Sequence, residues 1–271
     1  MYASLEEAYQ AASFMGSDEE LLRLKIEQNP YVKKKLLQTE DYLIVEDSPK
    51  DSFWGWGPNR DGENQLGKLW MKLRDEIIKN EEGVISMIND IKQEILEDIE
   101  IYKLNSIDHY DFWNEHIKYV YDEGIKLAEI YKADKTIVKL GTLLHDIALI
   151  KNIGEKKEHH INGTKIAKEI LERHNCPKEI EDKVIKCILN HRSSKKATTL
   201  EELCVSDADI LAHFDNIPML FNLAYKKNNL ELHEVRKYIK EMFEKDYNDL
   251  SDKTKETFKD KYKLIYETIL K

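Results

Sequence analysis

The sequence predicts a mainly α-helical protein in two parts, and three observations predict it. From Ser106 onward, apolar residues recur at three- and four-residue spacing in segment after segment, with no β-alternation of useful length. All nine histidines lie between His109 and His233, while three of the four tryptophans and four of the ten glycines crowd between Trp54 and Trp70, so the two parts do different chemistry. A hydrophobic share of 41% over 271 residues is enough to bury a core in one large domain or two.

The elements follow in order. Residues 4–15 place Leu5, Ala8, Tyr9, Ala12 and Met15 at helical spacing behind Ser4 as N-cap. Residues 18–37 read as helix, with Pro30 breaking it in two. Residues 42–46, Tyr-Leu-Ile-Val-Glu, read as a short buried strand, followed by a Pro/Gly-rich loop from Asp47 to Gly67 and a helix over 66–78. In residues 79–104, Ile85, Ile88, Ile91, Ile95, Ile99 and Leu104 form the stripe of an amphipathic helix, which needs a domain or a second copy of the chain to cover it. Five helical segments follow, at 116–131, 136–149, 160–174, 179–191 and 206–225, punctuated by Pro177 and Pro218. The expected division is a module at 1–78, a connector helix at 79–104 and a helical domain at 105–271.

Composition excludes several classes. No uncharged run approaches the roughly 18–20 residues that span a bilayer, and the first ten residues lack both the basic and the apolar region of a signal peptide. Cys176, Cys187 and Cys204 make an odd count without CxxC spacing, which argues against a disulfide framework and a cysteine zinc site. The net charge of −10 argues against general nucleic-acid binding. A cytoplasmic protein is expected.

The strongest chemical signal is the series His116, His145-Asp146, His160, His191 and Asp209, each on or at the end of a predicted helix. Leu140, Gly141, Leu144 and Ile147 mark the buried side around His145-Asp146, and an imidazole and a carboxylate beside a core are costly unless something binds them. A divalent metal resolves that cost, since both groups are ligands; mixed N/O donors admit Mn, Fe, Co, Ni or Zn. His159 is an alternative to His160, and Asp207 to Asp209. His213, one turn after Asp209, either orients a ligand or packs in the core. Arg192 is a candidate phosphate clamp, with Lys195 as a further phosphate-binding candidate. His109, His174 and His233 read as surface or capping residues.

These residues resemble the HD superfamily of metal-dependent phosphohydrolases over about residues 106–225. The resemblance lies in a leading His (His116), the His145-Asp146 pair and a distant Asp within Ala208-Asp209-Ile210-Leu211. It implies a helical bundle holding one or two divalent metal ions, with His160 and His191 as the extra ligands of dinuclear members. Asp146 then holds metal and orients the nucleophile, and a metal-held water is acidified to a pKa of about 7. His145-Asp146-Ile147-Ala148-Leu149 departs from the His-Asp-Ile-Gly-Lys of the cyclic-dinucleotide branch, which favours a small-nucleotide or phosphomonoester substrate.

In the first part, Trp54-Gly55-Trp56-Gly57 offers indole faces on a glycine-rich loop, with Asp61, Asn64 and Gln65 beside them and Glu6 and Glu7 as carboxylates on a helix. The tryptophans serve either as stacking faces or as the packing of a small domain. Ser4, Glu6, Ala8, Tyr9, Gln10 and Ala11, then Trp54, Gly55, Gly57, Asn64, Leu66, Gly67 and Lys68, resemble the motifs of the NADAR family. That resemblance implies action on N-glycosidic bonds of ribosylated bases, with Glu6 as catalytic carboxylate, Trp54 as stacking face and Asn64 at the substrate. The stretch between the motifs is short, so the module reads as truncated.

The leading expectation is therefore a metal-dependent phosphohydrolase acting on a nucleotide-type small molecule, with a homo-oligomer allowed. The alternative is an N-glycosidase or ADP-ribose-type binding protein with the HD domain accessory. A third reading is a metal-holding scaffold that signals or oligomerises.

Overall fold

In the computed structural model, residues 18–107, 109–228 and 230–270 are described. The helix expected over 4–15 and Glu6 lie outside them. The chain forms two compact units divided after Ile85. The described residues are mainly helical, with no strand among them, and no helix among them is long and apolar enough to cross a membrane.

In the first unit, α1 (Asp18–Gln28) and α2 (Pro30–Leu37) are separated at Asn29, which caps α2 by accepting the N–H groups of Tyr31 and Val32. Pro30 opens α2, where its missing N–H costs nothing. Both helices pack on the start of α3 (Gln65–Asn105). The core is Ile26, Leu36 and Leu73, bordered by Leu22, Val32, Ile44, Trp70 and Ile77.

The strand expected over 42–46 is corrected here. These residues carry no ladder, and Tyr42 and Leu43 are exposed. Their backbone bonds go elsewhere: buried Asn64 donates to the Ile44 carbonyl at 2.9 Å and accepts the Glu46 N–H at 3.0 Å. The Glu46 carbonyl accepts the Trp56 N–H at 3.0 Å, and the Tyr42 carbonyl accepts from Arg74 at 2.8 Å. One amide side chain thus does the work of a neighbouring strand. It does so at close quarters, because a Cβ on Gly67 would come within 2.1 Å of the Ile44 carbonyl oxygen.

The segments 66–78 and 79–104 are one continuous helix, α3. In the second unit its residues Met87, Ile88, Ile91, Ile95 and Ile99 are buried. Fully burying each isoleucine contributes roughly 1.5–3 kcal/mol. Its flanks are tied down by polar pairs: Asp98 with Lys151 at 2.6 Å, and Glu94 with both Arg173 and His174. The stripe is therefore covered within the second unit from Ile88 to Ile99, while Ile85 and Leu104 at its ends are exposed.

The rest of the second unit is a helical bundle: a single π-turn at Trp113–Ile117, α4 (Lys118–Tyr131), α5 (Lys135–Leu144), α6 (Ile147–Ile150), α7 (His159–Arg173), α8 (Lys178–Asn190), α9 (Leu200–Asp215), α10 (Ile217–Asn228), α11 (Leu232–Asp249) and α12 (Asp252–Ile265). Central α9 packs on α4, α5 and α8. It is buried on nearly every side, with Val205, Ala208, Ile210, Leu211 and Phe214 in the core and Glu202, Ser206 and Asp207 buried as well. Phe214 packs against the tilted ring of Phe243 of α11 and edge-on against Phe258 of α12, which seats the last two long helices.

Candidate metal centre

His116 lies on the π-turn ahead of α4 and is buried. His145 and Asp146 do not continue the helix expected over 136–149. They occupy a break: His145 ends α5, and Asp146, at φ −106° and ψ 16°, precedes α6. On an unbroken helix, neighbours diverge by about 100°; the break lets both side chains serve one cluster. Asp209 comes from α9, His159 from the first position of α7 and His191 from the end of α8.

These side chains form two groups joined by one carboxylate. Asp146 Oδ2 lies 3.6 Å from Nε2 of both His116 and His145, and Asp209 Oδ1 lies 3.1 Å and 3.6 Å from the same two nitrogens. Asp146 Oδ1 faces the other way, 3.2 Å from His159 Nε2 and 3.9 Å from His191 Nε2.

The donor chemistry fits divalent cations. Nδ1 of His159 is 2.7 Å from the Lys156 carbonyl and Nδ1 of His191 is 2.6 Å from the Ile188 carbonyl. A carbonyl only accepts, so each Nδ1 carries the hydrogen and each neutral ring has a lone pair on Nε2. Those two lone pairs face each other at 2.9 Å, an arrangement that repels unless a positive charge lies between them. His145 is fixed likewise, with Nδ1 2.8 Å from the Thr142 carbonyl and Nε2 3.1 Å from His116 Nε2. The sets His116–His145–Asp146 and Asp146–His159–His191 each bring their ligand atoms within 4.8 Å of one another.

Electrostatics separate the two groups. Burial opposes charge on His145, but the carboxylates of Asp146 and Asp209 outweigh it and push its pKa up to about 9. His191 is pushed down to about 4 by burial and by the charge of His145. Asp209 sits well below the usual carboxylate range, since hydrogen bonds from His116 and His145 overcome its burial. A cation entering the His116–His145 group must therefore displace the His145 proton, whereas His191 is already free of one at neutral pH. Lowering the pH from 8 to 6 should weaken binding there about tenfold per unit. Chelator competition at each pH, with calorimetry in buffers of different ionisation enthalpy, should show about one proton released by that ion. A pH-independent affinity would contradict this.

Three sequence expectations change position. The sequence places His160 in the second group, but the structure turns His159 to it; successive residues at a helix start cannot both face the site, and His160 Nδ1 is buried without a partner. Asn64 is spent on the backbone clamp described above rather than presented to a substrate. Lys195 pairs with Asp249 at 3.0 Å instead of standing free for a phosphate. Arg192 is exposed and donates to the Lys157 carbonyl at 2.8 Å. Trp54 is half-buried, its ring edge-on to Phe53. Asp207 is fully buried and faces hydroxyl groups, leaving the cluster to Asp209. Cys187 and Cys204 are free and buried, their thiols pushed up by burial.

The bundle gathers a leading histidine, a His-Asp pair and a distant aspartate into groups that could hold a cation. Residues 114–213 match the HD domain and residues 15–78 match the NADAR domain, so the chain carries both. The chain is similar to an N-glycosidase of Nostoc punctiforme, 54% identical over 46 residues, covering 17% of this chain and 30% of that protein. It is 28% identical over 190 residues to a tRNA (cytidine(56)-2'-O)-methyltransferase of Picrophilus torridus, covering 62% of this chain and 53% of that protein. It is 41% identical over 56 residues to the N-glycosidase YbiA of Shigella boydii, covering 21% of this chain and 35% of that protein. The chain thus spans about a third of the N-glycosidases and half of the methyltransferase. No solved structure matches.

Proposed function

We propose that the second unit is a metal-dependent phosphohydrolase that holds two divalent cations and cleaves a phosphate ester of a nucleotide or nucleotide-derived compound. The observation that carries this reading is Asp146, whose two oxygens address separate imidazole groups. Cations bound there would supply an acidified water and offset charge on the phosphoryl oxygens. His116, His145 and Asp209 would hold one, His159 and His191 the other, and Asp146 would serve both and orient the nucleophile. Arg192, at the rim, is the candidate to engage the phosphate. Mn, Fe, Co, Ni and Zn all suit the donors. The nucleotide part rests on the HD domain and on the NADAR domain in the same chain.

The test is a panel of nucleotides and generic phosphodiesters with purified protein and added Mn, Co or Ni. Hydrolysis of at least one compound is expected, together with two transition metal ions per chain by elemental analysis, and loss of hydrolysis and of the ion at the His116–His145 group in His145→Ala. Metal-loaded protein that cleaves nothing in the panel would refute the phosphohydrolase reading.

A second reading is favoured by the N-glycosidases that the first unit resembles: release of base from an N-ribosyl substrate, with Trp54 stacking on it. That activity should be lost in Glu6→Gln and retained in His145→Ala; release unaffected by Glu6→Gln would set the role of Glu6 aside.

A further inference from the structure

His213 has the surroundings of a metal ligand. It lies on α9 one turn beyond Asp209, its ring stacked on that of His116 with centroids 5.9 Å apart and planes 21° apart. Its Nδ1 is 2.9 Å from Asp246 Oδ2 and donates to it. His116, Asp209 and His213 each offer a ligand atom, all within 4.8 Å of one another. In His145, His159 and His191 an oxygen acceptor likewise takes Nδ1 and leaves Nε2 to the cluster. His213 repeats that arrangement with a carboxylate as acceptor, which both orients an imidazole and raises its basicity.

The carboxylate has a distinct origin. Asp246 belongs to α11, beyond the 114–213 span that matches the HD domain. The same stretch of chain makes two further contacts beside the proposed ligands. Asp249 accepts from Ser193 Oγ at 3.3 Å, two residues after His191, and Ser251 binds Asp207, two residues before Asp209. Residues 246–251 thus touch the neighbourhoods of three ligands at once. This is hard to account for if α11 and α12 only pad the core.

We propose that His213, oriented by Asp246, is a further ligand of the cation held by His116, His145, Asp146 and Asp209, so that α11 takes part in the metal centre. The proposal rests on the reading of the cluster as a cation site.

The experiment titrates metal-free full-length protein with Co²⁺ against a competing chelator while recording the visible absorption bands. His213→Gln, Asp246→Asn and His145→Ala are compared with the wild-type protein. His213→Gln should weaken by about ten- to hundredfold the ion that His145→Ala abolishes, and change its absorption bands. Asp246→Asn should weaken the same ion less, because the amide oxygen still accepts the Nδ1 hydrogen. Far-ultraviolet circular dichroism of the metal-free variants checks the fold, and should His213→Gln not fold, Asp246→Asn carries the test. Unchanged affinity and spectrum in the folded variants, with the ion lost in His145→Ala, would overturn the role of His213 and leave the cation site standing. Wild-type Co²⁺ stoichiometry and affinity at both positions in His145→Ala would remove the cation site and the proposal together.

Discussion

Asp146→Asn is expected to lower phosphohydrolase turnover by about a thousandfold, the order that removing one preorganised stabilising group costs, without unfolding the protein. The substitution keeps the shape of the side chain and takes away its charge. In the wild-type protein that charge lies 3.6 Å from His116 and His145 through one oxygen and 3.2 Å from His159 through the other. Losing it weakens both proposed cation positions, so elemental analysis should show the metal content falling as activity falls. The variant also removes the strongest upward influence on His145, whose pKa should drop from about 9. Fewer protons should then be released when a cation binds at pH 7. Turnover within tenfold of wild type at full metal content would show that Asp146 does not join the two groups.

How much of this centre was legible in the sequence depends on the reach of helical periodicity. Periodicity separates an inward from an outward face, so His116, His145 and Asp209 could be placed inward by their neighbours Val120, Leu144 and Leu211. It does not decide between close neighbours at an irregular end. His159 and His160 stand where the 3₁₀ turn Lys156–Glu158 meets α7, and only the carbonyl of Lys156, holding His159 Nδ1, settles which ring turns inward. The break at His145-Asp146 was equally hidden, because the apolar run on both sides reads as one helix. In the first part, Ile44 and Val45 show the composition of a strand, but strand pairing is a property of a partner segment. Here the partner is a single side chain, Asn64, twenty residues away from Ile44. His213 was legible as a residue near Asp209, but its carboxylate partner, thirty-three positions further on, was not.

Asp207→Ala is expected to destabilise the second unit by about 2–4 kcal/mol, on the scale of hydrogen bonds to a charged group, while sparing the ligand side chains themselves. Asp207 and Asp209 are two residues apart on α9, so they diverge by about 200°: Asp209 meets imidazoles and Asp207 meets hydroxyls. Asp207 Oδ1 accepts from Ser194 Oγ at 2.5 Å and from the Ser251 N–H at 3.1 Å, and Oδ2 accepts from Ser251 Oγ at 2.5 Å. Tyr131 and Thr254 extend the set through Ser251. Alanine leaves the Ser251 N–H without its acceptor and opens a polar hole between α9 and the start of α12, whereas the two serine hydroxyls can turn to Ser206, Thr254 or Tyr131. The loss therefore stays below the sum of three charged hydrogen bonds. At about 2–4 °C per kcal/mol for a unit of this size, the melting temperature of metal-free protein should fall by roughly 4–16 °C. Asp207→Asn should fall less, since one oxygen still accepts and the amide can donate to Ser251 Oγ. Because Ser251 follows Asp246 and Asp249 in the chain, loosening it should also weaken cation binding modestly, by less than His213→Gln does. A melting temperature unchanged in Asp207→Ala would mean that the hydroxyl set holds α12 against α9 without the carboxylate.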